Sequence, residues 1–444
     1  MRKLLILICL LATPALAELD PFSVYTAKAP DGCIDTPTTK GELTLPELVQ
    51  IGICNNPKLN RSYMSVKASE AALGQAKSSY LPTVTGTGAI RQNHEKVQGN
   101  GSRNNYPVSG NIALSWLVYD FGGRSAKTEQ MRAYLDSAEF THNANLHDTV
   151  LEINQAYFDL LSAQEVLKSM QESEKTFKKS YEESRKRFEL GLVSASDKLL
   201  AKTSYEQSRL NVVQADNTLK KAQGNLAVLL NLSPDTALKV TTPPKDRDIT
   251  KLETDETVQE MMETALSLRP ELQSQKSQMT AAEREIAILE AGDLPSISAS
   301  ANAGWGDSWK KHNPYTVDTS VGLSLSIPLF TGFEDTYNAA RAKYQYRQAA
   351  LSVLETQDSV RKDVWNSYQD YMTATEAYRI SKTMRESAKE NERVAFASYQ
   401  IGKGSILELL TAGSQLASAR QQVIVAFYSV LTSKANLYRA IGRF

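Results

Sequence analysis

The sequence predicts a mainly α-helical fold with a smaller β portion, built from two internally duplicated long-helix hairpins. Three observations lead to this prediction. The chain of 444 residues repeats itself at a nearly constant spacing. Two stretches of ~65 residues contain neither proline nor internal glycine and keep a helical period. Four shorter segments alternate polar and apolar residues, as strands with one apolar face do.

The N-terminus has the form of a secretion signal. Arg2 and Lys3 precede a short apolar run, and Ala15-Leu16-Ala17 has the small-x-small form that a signal peptidase cuts. A membrane anchor is the alternative, but the run is far shorter than the ~20 residues that span a bilayer. We therefore expect residues 1–17 to be a signal peptide and 18–42 to form an N-terminal segment.

Two cysteines, Cys33 and Cys54, remain after that cleavage. An exported protein meets an oxidising compartment, so a disulfide between them is the default expectation. Two buried free thiols are the alternative, because spacing alone does not fix the geometry of a bridge. The bridge would tie down an otherwise loose N-terminal segment.

A duplication relates the two halves of the chain. The offset is 211 residues between Gly191 and Gly402, and 213 residues between Pro57 and Pro270. A unit of about half the chain is too long for a solenoid repeat and indicates a duplicated domain. The predicted segments are a first structural repeat at 43–240, an irregular connector at 241–250 and a second structural repeat at 251–444.

Helices dominate each repeat. A short helix should end before an Asn-Pro or Arg-Pro pair, since the residue before proline resists the helical conformation. A longer helix follows, from Pro57 to Tyr80 and from Pro270 to Gly292. After the strands, helical periodicity runs from Gly123 to Phe188 and from Phe333 to Ile401. A helix of ~65 residues would be ~100 Å long, more than a globular core accommodates.

Two strands are predicted in each repeat, and polar loops join each pair as a hairpin. Four strands are too few to close a membrane barrel, so their exposed edges predict pairing with other copies of the chain. Aromatic residues at the strand ends favour an interfacial girdle, and the core of a periplasmic β-domain is the alternative. The strands lie at about 83–92, 108–119, 295–305 and 317–330, and the aromatic residues are Trp116, Tyr119, Phe121, Phe330 and Phe333.

Four stretches of the sequence are typical of one family. They are LTLPELVQIGICNNPKL at the opening, LSWLVYDFGGR between strand and long helix, and the two breaks RFELGLVSASDKL and SYQIGKGSILELL. Together they resemble the TolC family of outer-membrane efflux ducts, and the cysteine context ICNNPKL is similar to the subgroup near the cyclolysin-secretion component.

The resemblance implies a homotrimer whose three chains contribute four strands each to a shared 12-stranded β-barrel, above a long trimeric α-barrel. It implies a passive channel of the cell outer membrane that extends through the periplasm, in tripartite efflux or type I secretion. The implied partners are outer-membrane lipid, a periplasmic adaptor (membrane fusion) protein, and an inner-membrane pump or ABC transporter.

The two breaks are the candidate functional site. Ser194 with Asp197, and Ser405 with Glu408, have the spacing of a helix capping box, which alone explains a hydroxyl and an acid there. The functional alternative is that Asp197 and Glu408 from three protomers ring a pore mouth and favour cations. The family's matching positions line this constriction. The residues matching its adaptor-docking tips are Leu190, Gly191, Leu192, Ile401, Gly402 and Lys403, for which a simple helix–helix turn is the alternative.

The second break departs from the family pattern. Gly404 stands where some members carry a basic residue, and Thr411 stands where they carry a second acid. That basic residue joins a polar lock which holds the mouth shut, so the lock is in doubt here. Tyr399 and Lys198 remain available for a different polar contact.

Other functions find little support. Charge is balanced, with 50 basic and 50 acidic residues, so no nucleic-acid partner is expected. The chain lacks the nucleotide-binding and nucleophile motifs of enzymes, so we expect no enzymatic activity and no cofactor. A periplasmic coiled-coil structural protein without a pore is the alternative function. No metal site is expected, because the histidines lack metal-ligand spacing: His94, His142, His147 and His312.

Overall fold

A computed structural model describes residues 41–97, 101–242, 251–252, 256–308 and 315–443. The predicted signal peptide, nearly all of the N-terminal segment and Cys33 lie outside these ranges, so the disulfide stays a prediction. None of the helices in these ranges combines the length and apolar character needed to cross a membrane.

Eight helices lie in the described ranges, and their bounds follow the duplication. The two longest have 67 residues each and begin 211 residues apart. The helices are α1 Leu45–Asn55, α2 Pro57–Ser78, α3 Gly123–Glu189, α4 Ala195–Leu229, α5 Val258–Leu268, α6 Pro270–Gly292, α7 Glu334–Gln400 and α8 Ile406–Ile441.

The short helices α1 and α5 end where the sequence predicts. Their C-caps, Asn56 and Arg269, have ψ angles of 119° and 122°, outside the helical region. Each residue precedes a proline, whose ring clashes with a helical neighbour on its N-terminal side. The chain therefore changes direction twice in the same way, and α2 and α6 begin at those prolines.

Eight strands lie in the described ranges, and four of them form the main sheet. Its order is β2-β5-β7-β8, with every neighbouring pair antiparallel. The strands are β1 Glu42–Leu43, β2 Thr83–Ile90, β3 Asn93–Val97, β4 Gly101–Asn105, β5 Pro107–Tyr119, β6 Lys239–Val240, β7 Ser296–Ser308 and β8 Thr316–Ser326.

The described chain divides into two compact units. One consists of Met64–Phe140 and Gln273–Leu354 and contains the main sheet with the helix segments next to it. The other consists of the chain up to Tyr63, Thr141–Leu272 and the chain from Glu355. The second unit contains both breaks between the long helices.

The main sheet joins the two repeats through the pairing of β5 with β7, in which Ile112 faces Ala303. β2 and β8 lie at its edges. No part of the chain that the structure describes covers the apolar side chains of β8, and Val321 is 89% exposed. β8 ends at Ser326, four residues before the predicted end at 330, because Pro328 has no N–H to donate to a ladder.

The prediction of a polar loop after β2, at 93–105, is wrong over most of its length. β3 and β4 pair there as a second antiparallel hairpin, from Asn93 opposite Asn105 to Val97 opposite Gly101. This pairing continues the register of β2 and β5 without a slip. The ladder is interrupted at Pro107, which lacks an N–H but accepts a hydrogen bond from Arg91 N at 3.0 Å. Polar composition here marks strands, not an irregular loop.

The turns from the sheet into the long helices use left-handed backbone at bulky residues. Phe121 has φ 52° beside Gly122 at 98°, and Phe333 has φ 67° beside Gly332 at 68°. Such angles are strained for a residue with a large side chain. Both phenylalanine rings stay exposed and make edge-on contacts with a neighbouring aromatic ring, Tyr119 at 4.7 Å and Phe330 at 5.6 Å between centroids.

Apolar clusters hold the short helices of the second unit in place. Leu48 and Ile51 of α1 are buried with Ile153 of α3 and Leu226 of α4. The approach of α1 is close enough that a Cβ at Gly52 would lie 2.2 Å from the Ile153 Cδ1 atom. The second repeat forms a matching cluster, whose members are Met261, Ala265, Val360, Val364, Tyr371, Ala374, Val430, Leu437, Ala440 and Ile441.

Candidate functional site: the paired helix tips

Both long helices end in the same glycine motif. Gly191 and Gly402 have φ angles of 71° and 75°, which glycine adopts without steric cost. In the first tip, Leu192 N donates to Arg187 O at 2.8 Å, and in the second, Lys403 N donates to Ser398 O at 2.9 Å. These are the long backbone hydrogen bonds of a Schellman motif, which satisfies carbonyls at a helix C-terminus.

A capping box begins each return helix. Ser194 Oγ accepts from Asp197 N at 3.1 Å, and Asp197 Oδ2 accepts from Ser194 N at 3.3 Å. In the second tip, Ser405 Oγ accepts from Glu408 N at 3.2 Å, and Glu408 Oε2 accepts from Ser405 N at 3.0 Å. Each box satisfies two backbone N–H groups and places a negative charge at the positive end of the helix.

The capping role does not bury the two carboxylates. Glu408 is exposed and Asp197 is half-buried. The backbone contact of each cap uses one named carboxylate oxygen, Oε2 or Oδ2. Each cap therefore holds a carboxylate at the start of its return helix without burying it.

The tips also present apolar side chains to the surroundings. Among the predicted docking residues, Leu190 is 73% exposed, Leu192 65% and Ile401 68%. Gly191, Gly402 and Lys403 are also exposed. Leu199 and Leu407, in the first turns of the return helices, are also exposed, and their outward positions were not predicted.

A buried apolar cluster next to the two tips is formed by residues of α3, α4, α7 and α8. It contains Tyr399 of the second tip, which is 2% exposed, and Phe177 of α3. Beside it, the rings of Tyr181 and Tyr205 stack at 6.1 Å between centroids. The buried members of the cluster are Phe177, Ala201, Tyr399, Ile406, Leu409 and Leu410.

Arg187 links the two tips, and the sequence did not reveal it. Its Nη2 atom donates to Gln400 O at 3.1 Å, and its guanidinium carbon lies 4.9 Å from the centroid of the Tyr399 ring. Arg187 lies in the last turn of α3, where a basic side chain is favoured by the helix dipole alone. Nothing in the sequence pattern therefore pointed to a contact across the tips.

Tyr399 and Lys198, expected to be available for a polar contact, are placed otherwise. The Tyr399 hydroxyl is buried and has no hydrogen-bond partner among the described residues. Lys198 Nζ lies 4.0 Å from the centroid of the Phe188 ring, within its own tip. The face of the Tyr399 ring, and not its hydroxyl, makes the cross-tip contact.

The position of Gly404 leaves little room for a side chain. A Cβ there would lie 3.1 Å from Ser398 Cβ and 3.2 Å from Tyr399 N. A basic residue at this position would require the end of α7 to shift by a few tenths of an ångström. Thr411, the other departure from the family pattern, is exposed.

The predicted interfacial aromatics lie in the other unit, at the strand ends. All five are exposed, and Trp116 is tied to the backbone because its Nε1 donates to Tyr80 O at 2.9 Å. Within the described ranges, no group of three or more His, Cys, Asp or Glu side chains is arranged to hold a metal ion.

Comparison with known proteins agrees with this architecture. CyaE of Bordetella pertussis is 27% identical over 414 residues, covering 90% of this chain and 84% of the relative. TolC of Escherichia coli is 25% identical over 414 residues, covering 90% and 82%. The solved outer-membrane channel OprN shares the fold, with a TM-score of 0.79 at 20% identity over 90% of each chain.

A family match covers most of the chain. The family described as outer membrane efflux protein matches residues 48–232 and 261–443. The resemblance to the TolC family is thereby confirmed. This chain belongs to the outer membrane efflux protein family.

Proposed function

We propose that this protein is a passive trans-periplasmic duct, the outer-membrane channel of a tripartite efflux or type I secretion system. One observation carries the proposal. Twice in one chain, a 67-residue helix that turns back as a hairpin is combined with strands whose apolar side chains are exposed. Family membership and the fold shared with outer-membrane channels support it.

The sheet edges support a homotrimer. Among the described residues, β2 and β8 each pair with a strand on one side only, and open edges carry unpaired N–H and C=O groups. Lipid tolerates such groups only where a barrel closes. Three copies would supply twelve strands, above the minimum of eight for a membrane barrel, with Trp116, Phe121 and Phe330 near the interfacial level.

The tips are proposed to form the periplasmic mouth of this duct. Asp197 and Glu408 from three copies would place six carboxylates around it, and a ring of carboxylates favours cations. The positions of these acids at helix N-termini hold the charges at defined points, which supports a selectivity role in addition to capping.

The exposed apolar tip residues are proposed to dock a periplasmic adaptor. Leu190, Leu192 and Ile401 are largely exposed in the described structure, and exposed apolar patches typically mark interaction sites. The energy for export would come from an inner-membrane pump or ABC transporter that the adaptor joins to this duct. The duct itself would perform no chemistry and need no cofactor.

Recording currents from the purified protein in planar lipid bilayers tests the proposal. We expect discrete, cation-selective conductance steps. A folded, trimeric preparation that gives no conductance would contradict the duct and favour the periplasmic coiled-coil structural protein instead. The double substitution Asp197→Ala with Glu408→Ala should weaken cation selectivity and divalent block without dissociating the trimer.

A further inference from the structure

The two faces of the main sheet differ in chemistry. Side chains alternate between the faces along each strand, so residues that pair across the strands share a face. One face, the apolar face, carries Ile112, Trp305 and Val321. The other, the polar face, carries small polar residues, glycine and alanine. Its four central rungs are Thr83 with Ser115, Ser300 and Gly322; Thr85 with Ala113, Asn302 and Ser320; Thr87 with Asn111, Gly304 and Asp318; and Ala89 with Ser109, Gly306 and Thr316.

Asp318 is the one ionisable side chain in these four rungs. The four strands contain no lysine, arginine or histidine, so no basic residue of the sheet neutralises it. Their other acid, Asp307, pairs with Val108 in the register of the apolar face.

The space around the Asp318 carboxylate is open. Asp318 is exposed, and its neighbour in the rung is Gly304. A Cβ added at Gly304 would lie 3.9 Å from Asp318 Cβ and 3.7 Å from Asn111 Oδ1, so the glycine leaves a gap between these two side chains. The polar face therefore presents one accessible negative charge on an otherwise neutral surface.

Asp318 lies near the end of the sheet that is remote from the long helices. β8 begins at Thr316, and its other end leads into α7 at Glu334. We propose that Asp318 is a specificity-determining residue that concentrates cations, including cationic groups of a cargo, in the outer part of the duct. This inference rests on the proposed function, because the polar face lines a lumen only when copies of the sheet close a barrel.

The dimensions of such a barrel set the size of the effect. Twelve strands about 4.8 Å apart, tilted by about 40°, form a backbone cylinder with a radius of about 12 Å. Three Asp318 carboxylates would then lie about 10 Å from the axis, at one level. Their charges raise the cation concentration on the axis about four- to fivefold in salt of about 10 mM, and hardly at all in about 1 M salt.

The reaction of a single introduced thiol with charged reagents tests the inference, because it reports the local potential without depending on the tips. Ser320→Cys places the thiol on the polar face, two residues from Asp318, and Thr319→Cys places it on the apolar face. A cationic and an anionic methanethiosulfonate are applied to the full-length protein in liposomes. The readout is the ratio of the two rates, divided by the same ratio for a free, uncharged thiol. Protein without an introduced thiol gives the background from Cys33 and Cys54.

We expect a normalised ratio of about ten or more for Ser320→Cys in salt of about 10 mM, because attraction of one reagent and repulsion of the other combine. Adding Asp318→Asn should lower it about tenfold, to near one, whereas adding Asp318→Glu should preserve it. Salt of about 1 M should remove most of the difference. Asp307→Asn is the matched control: it removes the same charge from the apolar face and should change the ratio less. Thr319→Cys should react far more slowly with both reagents, because its face lies against lipid.

A ratio that Asp318→Asn leaves unchanged, or equal effects of Asp318→Asn and Asp307→Asn, would overturn the inference. Equal reaction rates at the two thiol positions would overturn it as well, because the polar face would then not line a separate lumen. Conductance of the Ser320→Cys protein in planar bilayers is recorded in parallel. An absence of conductance would refute the proposed duct whatever the ratio, whereas conductance with an unchanged ratio would refute only the role of Asp318.

Discussion

Arg269 Nη1 lies 2.9 Å from Asp363 Oδ2, and the same guanidinium lies 3.3 Å from Glu271. In the first repeat, the positions matching Glu271 and Asp363 are Lys58 and Glu152, which pair directly at 3.0 Å. The second repeat therefore has two acids where the first has a base and an acid. Arg269, with a side chain that is 6% exposed, supplies the positive charge between them.

Replacing Arg269 by Met should destabilise the second repeat, because Asp363 loses this cation and Glu271 keeps only its pair with Arg439. Removing one partner of a buried pair costs about 3–5 kcal/mol, and the partial exposure of Asp363 lowers our expectation to about 2–3 kcal/mol. Chemical denaturation at a fixed protein concentration measures the change. Arg361→Gln is the control: its pair with Asp358 is exposed, so the change should stay within about 0.5 kcal/mol. Equal effects of the two substitutions would argue against a supporting role for Arg269.

The same cluster predicts how stability depends on pH. Burial alone would raise the pKa of Glu271, but the charges and hydrogen bonds of Arg269 and the charge of Arg439 together lower it below the ordinary 4.5. A carboxyl group with a lowered folded-state pKa stabilises the fold above its unfolded pKa and loses that contribution as pH falls through the folded value. Wild type should thus exceed Glu271→Gln in unfolding free energy by a constant amount above pH 5, and the difference should shrink below about pH 4.5. A difference that persists undiminished at pH 3 would contradict this origin.

Two glycine substitutions should have effects of opposite sign. Gly191 has φ 71° and open space around it, so Gly191→Ala would add only backbone strain, about 1–2 kcal/mol. Gly224 lies inside α4, where an added Cβ would meet Pro234 at an ordinary distance of 3.5 Å. Gly224→Ala should therefore stabilise the helix by about 0.5–1 kcal/mol. Thermal unfolding of the two variants, side by side, decides. A neutral Gly191→Ala would mean that the turn does not require left-handed backbone.

The caps should contribute to stability independently of charge. Ser405→Ala removes the acceptor for Glu408 N and should cost about 1 kcal/mol locally. Faster hydrogen exchange confined to the first turn of α8 would report it. Ser418→Ala, in the interior of the same helix, is the comparison and should leave that turn unchanged.

Local signals explain why so much of the fold could be predicted from the sequence. The ends of α1 and α5 follow from a proline, and the turn after α3 follows from a glycine and a capping box. Each of these features acts within a few residues of its cause. The duplication supports each predicted helix end and turn a second time, because every such signal occurs again about 211–213 residues later.

The features that were missed depend on distant partners or on strain. The hairpin of β3 and β4 is polar, and only its register with β2 and β5 distinguishes it from a loop. Phe121 and Phe333 adopt backbone angles that no propensity favours. Arg187 donates to Gln400, 213 residues away, and Arg269 donates to Asp363, 94 residues away. Helical periodicity contains no information about those contacts.

The reversal potential across a bilayer with a salt gradient tests most directly whether the tip acids form the mouth of a duct. Wild type should be cation-selective, and Asp197→Asn with Glu408→Gln should shift its reversal potential toward zero while single channels remain. Ser194→Ala with Ser405→Ala removes the cap hydroxyls but keeps the charges, so its reversal potential should stay near that of wild type. An unchanged reversal potential in the charge-neutralised protein would contradict the account and leave Asp197 and Glu408 only their capping role.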